Sequence, residues 1–278
     1  MSYKTVLVQV DQSRHAAQRI RIAAAIAIAD GAHLVGTATS GVARQAYQAH
    51  SFDLTMTLAD GQFDAMRVAA DQALGKFDAQ ADKLAVKSYE RRMIDDDAGG
   101  GLSLQGRYAD LIVLSQPDPD EADPGSETDL PEYVMLNCAR PVLIVPYAGQ
   151  FNQVGNNILI AWDGSKEATR AITCALPLLR RAASVSVAVF NAGGVMNHGE
   201  QPGSDIALYL ARHQVRVEVV QKEVDIDLGN ALLSLAADLG ADLIVMGGYG
   251  HTRFREMLLG GVTRTVLKTM TIPVLMAH

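Results

Sequence analysis

Residues 244–267 read IVMGGYGHTRFREMLLGGVTRTVL, and this stretch decides the fold of the second half of the chain. It continues an apolar run from Leu243 to Met246 that is typical of a buried parallel strand. Two groups of glycines follow that run, at Gly247, Gly248, Gly250, Gly260 and Gly261. From Val262 onward the sequence predicts a helix. A strand, a glycine turn and a helix N-terminus expose unpaired backbone N–H groups, which favour a bound anion.

The spacing of these glycines is Gly247-x2-Gly250-x9-Gly260. The chain has no G-x-x-x-x-G-K-[ST] motif and no clean G-x-G-x-x-G, so the chemistry of the common P-loop is not predicted. The spacing resembles the nucleotide loop of the universal stress protein family, whose last glycine is usually followed by Ser or Thr. Gly261 takes that place here, and the nearest hydroxyl is that of Thr263. The backbone donors remain, while one side-chain donor to phosphate is absent.

The composition favours a cytoplasmic protein with two globular domains. The chain has 278 residues, 49% of them hydrophobic and 20% charged, which is enough apolar material for two cores. A net charge of −7 argues against a nucleic-acid-binding surface, which requires clustered basic residues. The sequence predicts no signal peptide and no membrane span. The isolated Cys138 and Cys174 are expected to be packing residues in a reducing compartment.

An internal repeat predicts how the chain is organised. Three stretches of the first half have counterparts in the second half: Val6–Ser13 with Ile158–Ser165, Ala109–Leu114 with Ala241–Met246, and Arg140–Pro146 with Ile272–His278. The first pair is 152 positions apart and the other two are 132 apart, so the first half carries about 20 additional residues. We place these within 40–63. The repeat predicts two similar domains, residues 1–150 and residues 151–278.

Each copy alternates strands and helices, which predicts an α/β fold: two tandem, Rossmann-like domains with open, mostly parallel sheets. The expected elements include a helix over Asp64–Ala81 and strands over Ala85–Met93 and Val215–Glu223. Ligands of such sheets bind at the carboxyl ends of the strands, where the strand order switches. Asp163 and Gly247 each follow a predicted strand, so we expect them to face one crevice.

Three features make the whole chain resemble two tandem universal stress protein domains. They are the strand ending in Ala161-Trp162-Asp163-Gly164-Ser165, the glycine loop and the closing Pro-Val-Leu. This resemblance implies ATP or AMP, accompanied by Mg²⁺, as the ligand of the second domain. It implies a binding site formed by Ala161, Asp163, Val189, Met246, Gly247, Gly250, His251, Gly260, Gly261, Val262 and Thr263.

Several of these residues have a structural explanation as well. The resemblance implies that Asp163 contacts the adenine or ribose, but a carboxylate here also suits a helix cap shared with Ser165. Val189 would meet adenine through its backbone, yet a buried strand valine needs no ligand. The glycines would hold phosphates, or they would permit turns.

The first copy lacks the glycine loop. At the offset of 132 positions, Gly247 corresponds to Ser115, Gly250 to Asp118, Gly260 to Thr128 and Gly261 to Asp129. Carboxylates repel a triphosphate, and the prolines between them remove N–H donors. Asp11 remains at the position of Asp163. We therefore predict one competent nucleotide site per chain, in the second copy.

The resemblance implies a role in stress response through nucleotide-linked association. No catalytic residues are predicted, and ATP hydrolysis is expected to be slow at most. Metal-ligand spacing is absent, and the Asp95-Asp96-Asp97 run suits a helix start better than a cation site. The expected partner is an adenine nucleotide, with pairing of the two domains through their last strands or with a second copy of the chain. The alternatives are a scaffold of the same fold without nucleotide, and an enzyme acting on a small ligand.

Overall fold

The computed structural model describes residues 2–41, 57–121, 129–192, 203–250 and 261–278. The chain forms two compact units, which we call the first unit (Ser2–Val142) and the second unit (Leu143–His278). Strands and helices alternate throughout both units, as the sequence predicts. The domain bounds 1–150 and 151–278 stay a prediction.

The first unit contains four strands and four helices among its described residues. Its strands are β1 (Thr5–Gln9), β2 (His33–Thr39), β3 (Tyr89–Ile94) and β4 (Leu111–Ser115). Its helices are α1 (Ala16–Asp30), α2 (Thr57–Lys83), α3 (Ala98–Gly106) and α4 (Leu130–Cys138), with a 3-10 turn at Pro119–Glu121. Strand β5 (Val142–Val145) crosses the boundary between the units.

The second unit repeats this arrangement. Its further strands are β6 (Asn157–Ala161), β7 (Ser184–Phe190), β8 (Glu218–Lys222), β9 (Leu243–Gly247) and β10 (Val274–Ala277). Its described helices are α5 (Lys166–Leu179), α6 (Ser204–Arg212), α7 (Leu228–Asp238) and α8 (Val262–Thr269).

The sheets are parallel and doubly wound. The strand order is β3-β2-β1-β4 in the first unit and β8-β7-β6-β9-β10 in the second unit. All the strand pairs in these two runs whose register is resolved are parallel. In the second unit the chain runs outward from β6 to β8 and then returns to place β9 on the other side of β6. The strand order therefore switches between β6 and β9, where this class of sheet binds its ligands.

The repeat is visible in the bounds of the elements. Strands β4 and β9 begin 132 positions apart, as do helices α4 and α8 and strands β5 and β10, while β1 and β6 begin 152 positions apart. The strands nearest each switch point are buried on both faces. Leu243, Ile244 and Val245 are fully buried, as are Leu111, Ile112 and Val113. Continuous apolar runs are required there because helices cover both faces of a parallel sheet.

Three predicted bounds were wrong. The helix expected to begin at Asp64 begins at Thr57, inside the segment 40–63 that we interpreted as an insert. Residues 42–56 of that segment lie outside the described residues. Strand β3 covers Tyr89–Ile94 rather than Ala85–Met93, because Ala85 has a left-handed backbone (φ 55°) that no strand residue adopts. Strand β8 is shorter than the predicted Val215–Glu223, because its pairing with β7 starts at Glu218.

Among the residues described, no helix combines the length and the apolar character needed to cross a membrane.

Replacing two glycines of the first unit by alanine, one at a time, is expected to change the stability of the fold in opposite directions. A Cβ on Gly36 in β2 would lie 2.6 Å from the ring of Phe77, which is fully buried, whereas a Cβ on Gly75 in α2 would meet no atom within 4 Å. We expect Gly36→Ala to lower the free energy of unfolding by about 1–3 kcal/mol through overpacking. Gly75→Ala should raise it by about 0.5–1 kcal/mol through helix propensity. Urea denaturation measures both, and equal effects would contradict this packing.

Candidate functional site

The candidate site lies at the carboxyl ends of β6 and β9 in the second unit. Strand β6 pairs with β9, with Ile160 opposite Val245, so the segments leaving the two strands start side by side. Asp163 is two residues beyond β6, and Gly247 is the last residue of β9. These two positions therefore share one edge of the sheet, and their facing one crevice stays a prediction.

The turn after β6 begins helix α5. Ser165 is the N-cap residue, and its hydroxyl accepts a hydrogen bond from the Ala168 N–H at 3.1 Å. Asp163 accepts from the Ser165 N–H at 3.0 Å, which stabilises the turn. The cap is therefore formed by Ser165, and Asp163 supports it. The Asp163 carboxylate is exposed and has no ion pair among the described residues, so it can still accept a bond from a ligand.

Two glycines of the loop after β9 are required by contact with α5. A Cβ on Gly247 would lie 2.6 Å from the backbone nitrogen of Ala168, a distance that no real Cβ tolerates. A Cβ on Gly250 would lie 2.8 Å from the Oε2 atom of Glu167. The glycines therefore let the turn after β9 approach the first turn of α5. This is a structural explanation of their presence. This contact leaves their role toward a ligand untested.

The turn at residues 247–250 is fixed by the protein itself. The Gly248 N–H donates to the Ala277 carbonyl of β10 at 2.9 Å, and the Tyr249 N–H donates to the Thr263 hydroxyl at 3.2 Å. Tyr249 has a left-handed backbone with φ of 55°. The Thr263 side chain is buried and accepts a bond here, and its hydroxyl hydrogen has no acceptor among the residues that the structure describes.

Helix α8 begins directly beside this turn. Its N-cap residue, Gly261, supplies no side-chain cap, and its first turn has no acidic residue. The first N–H groups of a helix have no intrahelical partner and carry partial positive charge. The Tyr249–Thr263 hydrogen bond places these groups next to the glycine turn, which gives the arrangement an anion-binding character.

The remaining predicted site residues lie on the neighbouring strands or outside the described residues. Ala161 ends β6 and is half-buried, Val189 is buried in β7, and Met246 is buried in β9. Val189 comes directly after Ala188, which pairs with Ala161, so both lie at the same edge of the sheet. Val262 is half-buried in the first turn of α8. His251 and Gly260 lie outside the described residues.

Sequence reasoning missed Glu167, the second residue of α5. Glu167 is 3% exposed, and its Oε2 atom is buried without a hydrogen-bond partner in the part of the chain that the structure describes. Its Oε1 atom lies 3.4 Å from the Nζ atom of Lys166, whose side chain is 87% exposed. Acidic residues are common in the first turn of a helix, so the sequence carried no signal that this one is buried against the glycine turn.

The corresponding position in the first unit is filled by the protein's own carboxylate. Asp118, the counterpart of Gly250, has a side chain that is 2% exposed and pairs with the Arg14 guanidinium. His15 Nε2 lies 2.7 Å from the same oxygen, and the Asp120 N–H donates to the other at 2.9 Å. The cavity beside these residues measures about 130 Å³, below the roughly 300 Å³ at which small-molecule pockets begin.

The first unit also neutralises its counterpart of Asp163. Asp11 forms an ion pair of 2.8 Å with Arg19, which is 1% exposed, and accepts from the Ser13 hydroxyl at 2.7 Å. Burial alone would raise the pKa of Asp11, but Arg19 and the two Ser13 bonds outweigh it and lower the pKa below its usual value. Position 171 of the second unit, 152 residues after Arg19, is a buried alanine. Asp163 therefore has no counterpart of Arg19, the cation that pairs with Asp11.

Asp118 also titrates below its usual range. Burial would raise the pKa of this carboxyl, but the hydrogen bonds from His15 and Arg14, the Asp120 N–H and the charge of Arg14 lower it to about 2. The ionised form is therefore strongly favoured in the folded chain. The position that Gly250 occupies in the second unit is thus filled by a carboxylate that already has partners within the chain.

We expect Asp118→Asn to lower the free energy of unfolding by about 1–3 kcal/mol at pH 7, because it leaves Arg14 and His15 without their buried acceptor. The pKa of Asp118 is lower in the folded chain than its usual 3.8. The carboxylate therefore stabilises the fold above about pH 4, and this stabilisation disappears as the pH falls toward 2. Urea denaturation at pH 7 and at pH 3 should show a smaller difference at pH 3.

Asp120→Asn is the matched control for that measurement. The Asp120 side chain is 86% exposed and lies 4.0 Å from Arg14, so its removal should change stability by less than about 0.5 kcal/mol. A loss for Asp118→Asn that is the same at both pH values would contradict the role assigned to its charge.

The second half of the chain is similar to a known protein family. The model described as the universal stress protein family matches residues 156–278. Over 147 residues the chain is 26% identical to universal stress protein Slr1230 of Synechocystis, which covers 52% of this chain and 49% of that protein. Over 44 residues it is 46% identical to universal stress protein MJ0577 of Methanocaldococcus jannaschii. That match covers 16% of this chain and 27% of that protein. The chain thus spans about half or less of these curated relatives.

A solved structure of a universal stress protein from Archaeoglobus fulgidus has the same fold. It superposes with a TM-score of 0.74 and covers 98% of this chain and 95% of its own, at 16% sequence identity. An identity this low establishes the shared architecture and nothing about the ligand.

Proposed function

We propose that this chain belongs to the universal stress protein family, whose model matches residues 156–278, and that its second unit binds an adenine nucleotide, ATP or AMP, at the switch between β6 and β9. The observation that carries the proposal is the convergence of three groups at one edge of the sheet. These are the Asp163 carboxylate, which has no cation partner among the described residues, the glycine turn at residues 247–250, and the N-terminal turn of α8.

Each group suits one part of a nucleotide. Asp163 accepts hydrogen bonds, so it holds the ribose hydroxyls or the adenine amino group. The N-terminal turn of α8, with the remaining hydrogen of the Thr263 hydroxyl, favours the phosphates. The adenine side of the site is lined by apolar or small residues at the ends of neighbouring strands: Ala161, Val189 and Met246. This assignment rests on the residues' positions and on the family resemblance.

The first unit serves as an internal reference that binds no nucleotide. Its counterparts of two of these groups are satisfied by the chain: Asp11 pairs with Arg19, and Asp118, at the position of Gly250, pairs with Arg14 and His15. The nucleotide stoichiometry is therefore one per chain. The first unit supports the fold, and the bound nucleotide acts as a state marker for association with a partner in the cytoplasm during stress.

A scaffold without nucleotide is the second candidate, and one observation favours it. Gly247 is already required by its contact with the Ala168 nitrogen, so this glycine would be kept even if no phosphate ever bound. Gly261 also takes the place where relatives of this family carry a hydroxyl. Under this alternative the second unit would bind a protein partner with its crevice empty.

The proposal is tested by isothermal titration of ATP and AMP, with Mg²⁺, into the full chain. We expect one site, and we expect Asp163→Asn to weaken binding by about tenfold, the loss of one hydrogen bond to a charged acceptor. Asp11→Asn, the same change in the first unit, should lower stability and leave nucleotide affinity unchanged. An Asp at Gly250 would collide with Glu167, so Asp163→Asn is the cleaner variant.

Two results would contradict the proposal. Two equivalent sites per chain would show that the first unit also binds. The absence of binding by either nucleotide at millimolar concentration, with the folded state verified by circular dichroism, would favour the scaffold.

A further inference from the structure

We propose that the first unit binds an uncharged small molecule that carries hydroxyl groups on a ring, in a cavity at the carboxyl ends of β1 and β2. A free sugar and a nucleoside that lacks its phosphate share this chemistry. The cavity is formed by residues of the first unit alone, so the inference goes beyond the proposed nucleotide site of the second unit and does not depend on it.

The cavity measures about 310 Å³, which reaches the size at which small-molecule pockets begin. It takes in the carboxyl ends of two neighbouring strands together with side chains of α2 and α3. Its polar side includes Asp11, Thr37 and Thr39, and its apolar side includes Met66, Ala70 and Leu102. Asp11 also borders the smaller cavity beside Asp118, which extends toward β4.

Hydrogen bonds within the first unit hold the walls of this cavity. The Gln12 side-chain amide donates to the Ala69 carbonyl of α2 at 2.8 Å and accepts from Lys76 Nζ at 2.6 Å. The Ser40 N–H donates to the Ile94 carbonyl of β3 at 2.9 Å. Gln12, Ser40 and Ala69 all line the cavity. A pocket whose walls are already held needs little reorganisation when a ligand enters.

Asp11 offers this cavity a hydrogen-bond acceptor. Its Oδ1 atom accepts from the Ser13 N–H at 3.1 Å and from the Ser13 hydroxyl at 2.7 Å, and the Nη2 atom of Arg19 lies 2.8 Å from the same oxygen. The Oδ2 atom has no bond of this kind among the residues that the structure describes. Because the Asp11 side chain is 32% exposed, Oδ2 can accept from a hydroxyl or amino group of a ligand.

The charge balance of the cavity disfavours a phosphate. Asp11 is the one ionisable residue among the described residues that line it, and Arg19 balances its charge. Arg19 is engaged further, because it donates to the Gln9 carbonyl at 2.8 Å and to the Ser115 hydroxyl at 2.7 Å. An anionic group would therefore enter beside a carboxylate whose cation is already bound, which is unfavourable.

The hydroxyl groups of the cavity suit an uncharged ligand. Thr37 and Ser40 are buried, and the Thr37 hydroxyl has no hydrogen-bond partner in the part of the chain that the structure describes. Hydroxyls such as these can donate and accept, as the hydroxyls of a sugar ring do. A wholly apolar ligand would displace water from Asp11 Oδ2 without replacing its hydrogen bond. A hydroxylated ring satisfies the polar side and packs its face on the apolar side.

The test is calorimetric titration of ribose and of adenosine into the full chain, with saturating ATP and Mg²⁺ present to occupy the second unit. We expect an uncharged probe to bind at one site per chain. Ribose phosphate and AMP should bind at least about tenfold more weakly than their uncharged counterparts. Equal binding of both uncharged probes would identify a free sugar as the ligand class, and binding of adenosine alone would identify a nucleoside.

Two variants and a matched control locate the bound probe. Ala69→Leu adds bulk to the cavity from a half-buried position on α2, and it should weaken binding by about tenfold or more. Asp11→Asn should weaken binding by about tenfold through loss of the charged acceptor. Because Asp11→Asn also lowers stability, Ala69→Leu keeps the test decisive if that variant fails to fold. Ala79→Leu makes the same change at an exposed position of α2 outside the cavity and should leave binding unchanged.

Three results would overturn the inference. The first is no saturable binding of either uncharged probe at millimolar concentration to the folded chain. The second is binding that Ala69→Leu leaves unchanged. The third is binding that Asp163→Asn abolishes and Asp11→Asn does not, because the probe would then lie in the second unit. Failure of ATP itself to bind would overturn the proposed function alone, since the probe titrations can be repeated without ATP.

Discussion

The close approach of the glycine turn to the start of α5 is the constraint on which the second-unit site depends. The backbone at Gly247 comes so near the Ala168 nitrogen that no side chain fits between them. This approach brings the end of β9, the N-terminal turn of α5 and the first turn of α8 into one small region. It also buries Glu167, whose carboxylate would otherwise extend into water as first-turn acidic residues usually do. Packing and site chemistry are therefore consequences of the same contact.

The two units show that one backbone arrangement supports opposite charge patterns. In the first unit the loop contributes the negative charge and the helix contributes Arg14 and His15. In the second unit the described part of the loop, residues 247–250, contributes no charged side chain, and the helix contributes Glu167. Because the strand order and the element spacing agree between the units, the difference is attributable to a few side chains. The first unit pairs its loop carboxylate internally, whereas Glu167 Oε2 in the second unit has no hydrogen-bond partner among the described residues.

Much of this was predictable from the sequence. The parallel strands followed from continuous apolar runs such as Leu243–Met246, and the repeat fixed the correspondence of Gly250 with Asp118. The start of α2 was missed because the sequence around Thr57 mixes Gly and acidic residues without an apolar period. The burial of Arg19 and Glu167 was missed for another reason. Charged residues on a helix are usually solvated, and their burial depends on partners that come from distant parts of the chain.

The ion-pair cluster of the first unit has an evolutionary consequence. An open crevice there would require the loss of Asp118, but removing that carboxylate alone takes from Arg14 and His15 the buried negative charge with which both pair. Removing either basic residue first leaves the carboxylate without its partner. Each single step away from the present arrangement therefore costs stability before any binding is gained. Opening a crevice in the first unit therefore requires several of its charged residues to change together.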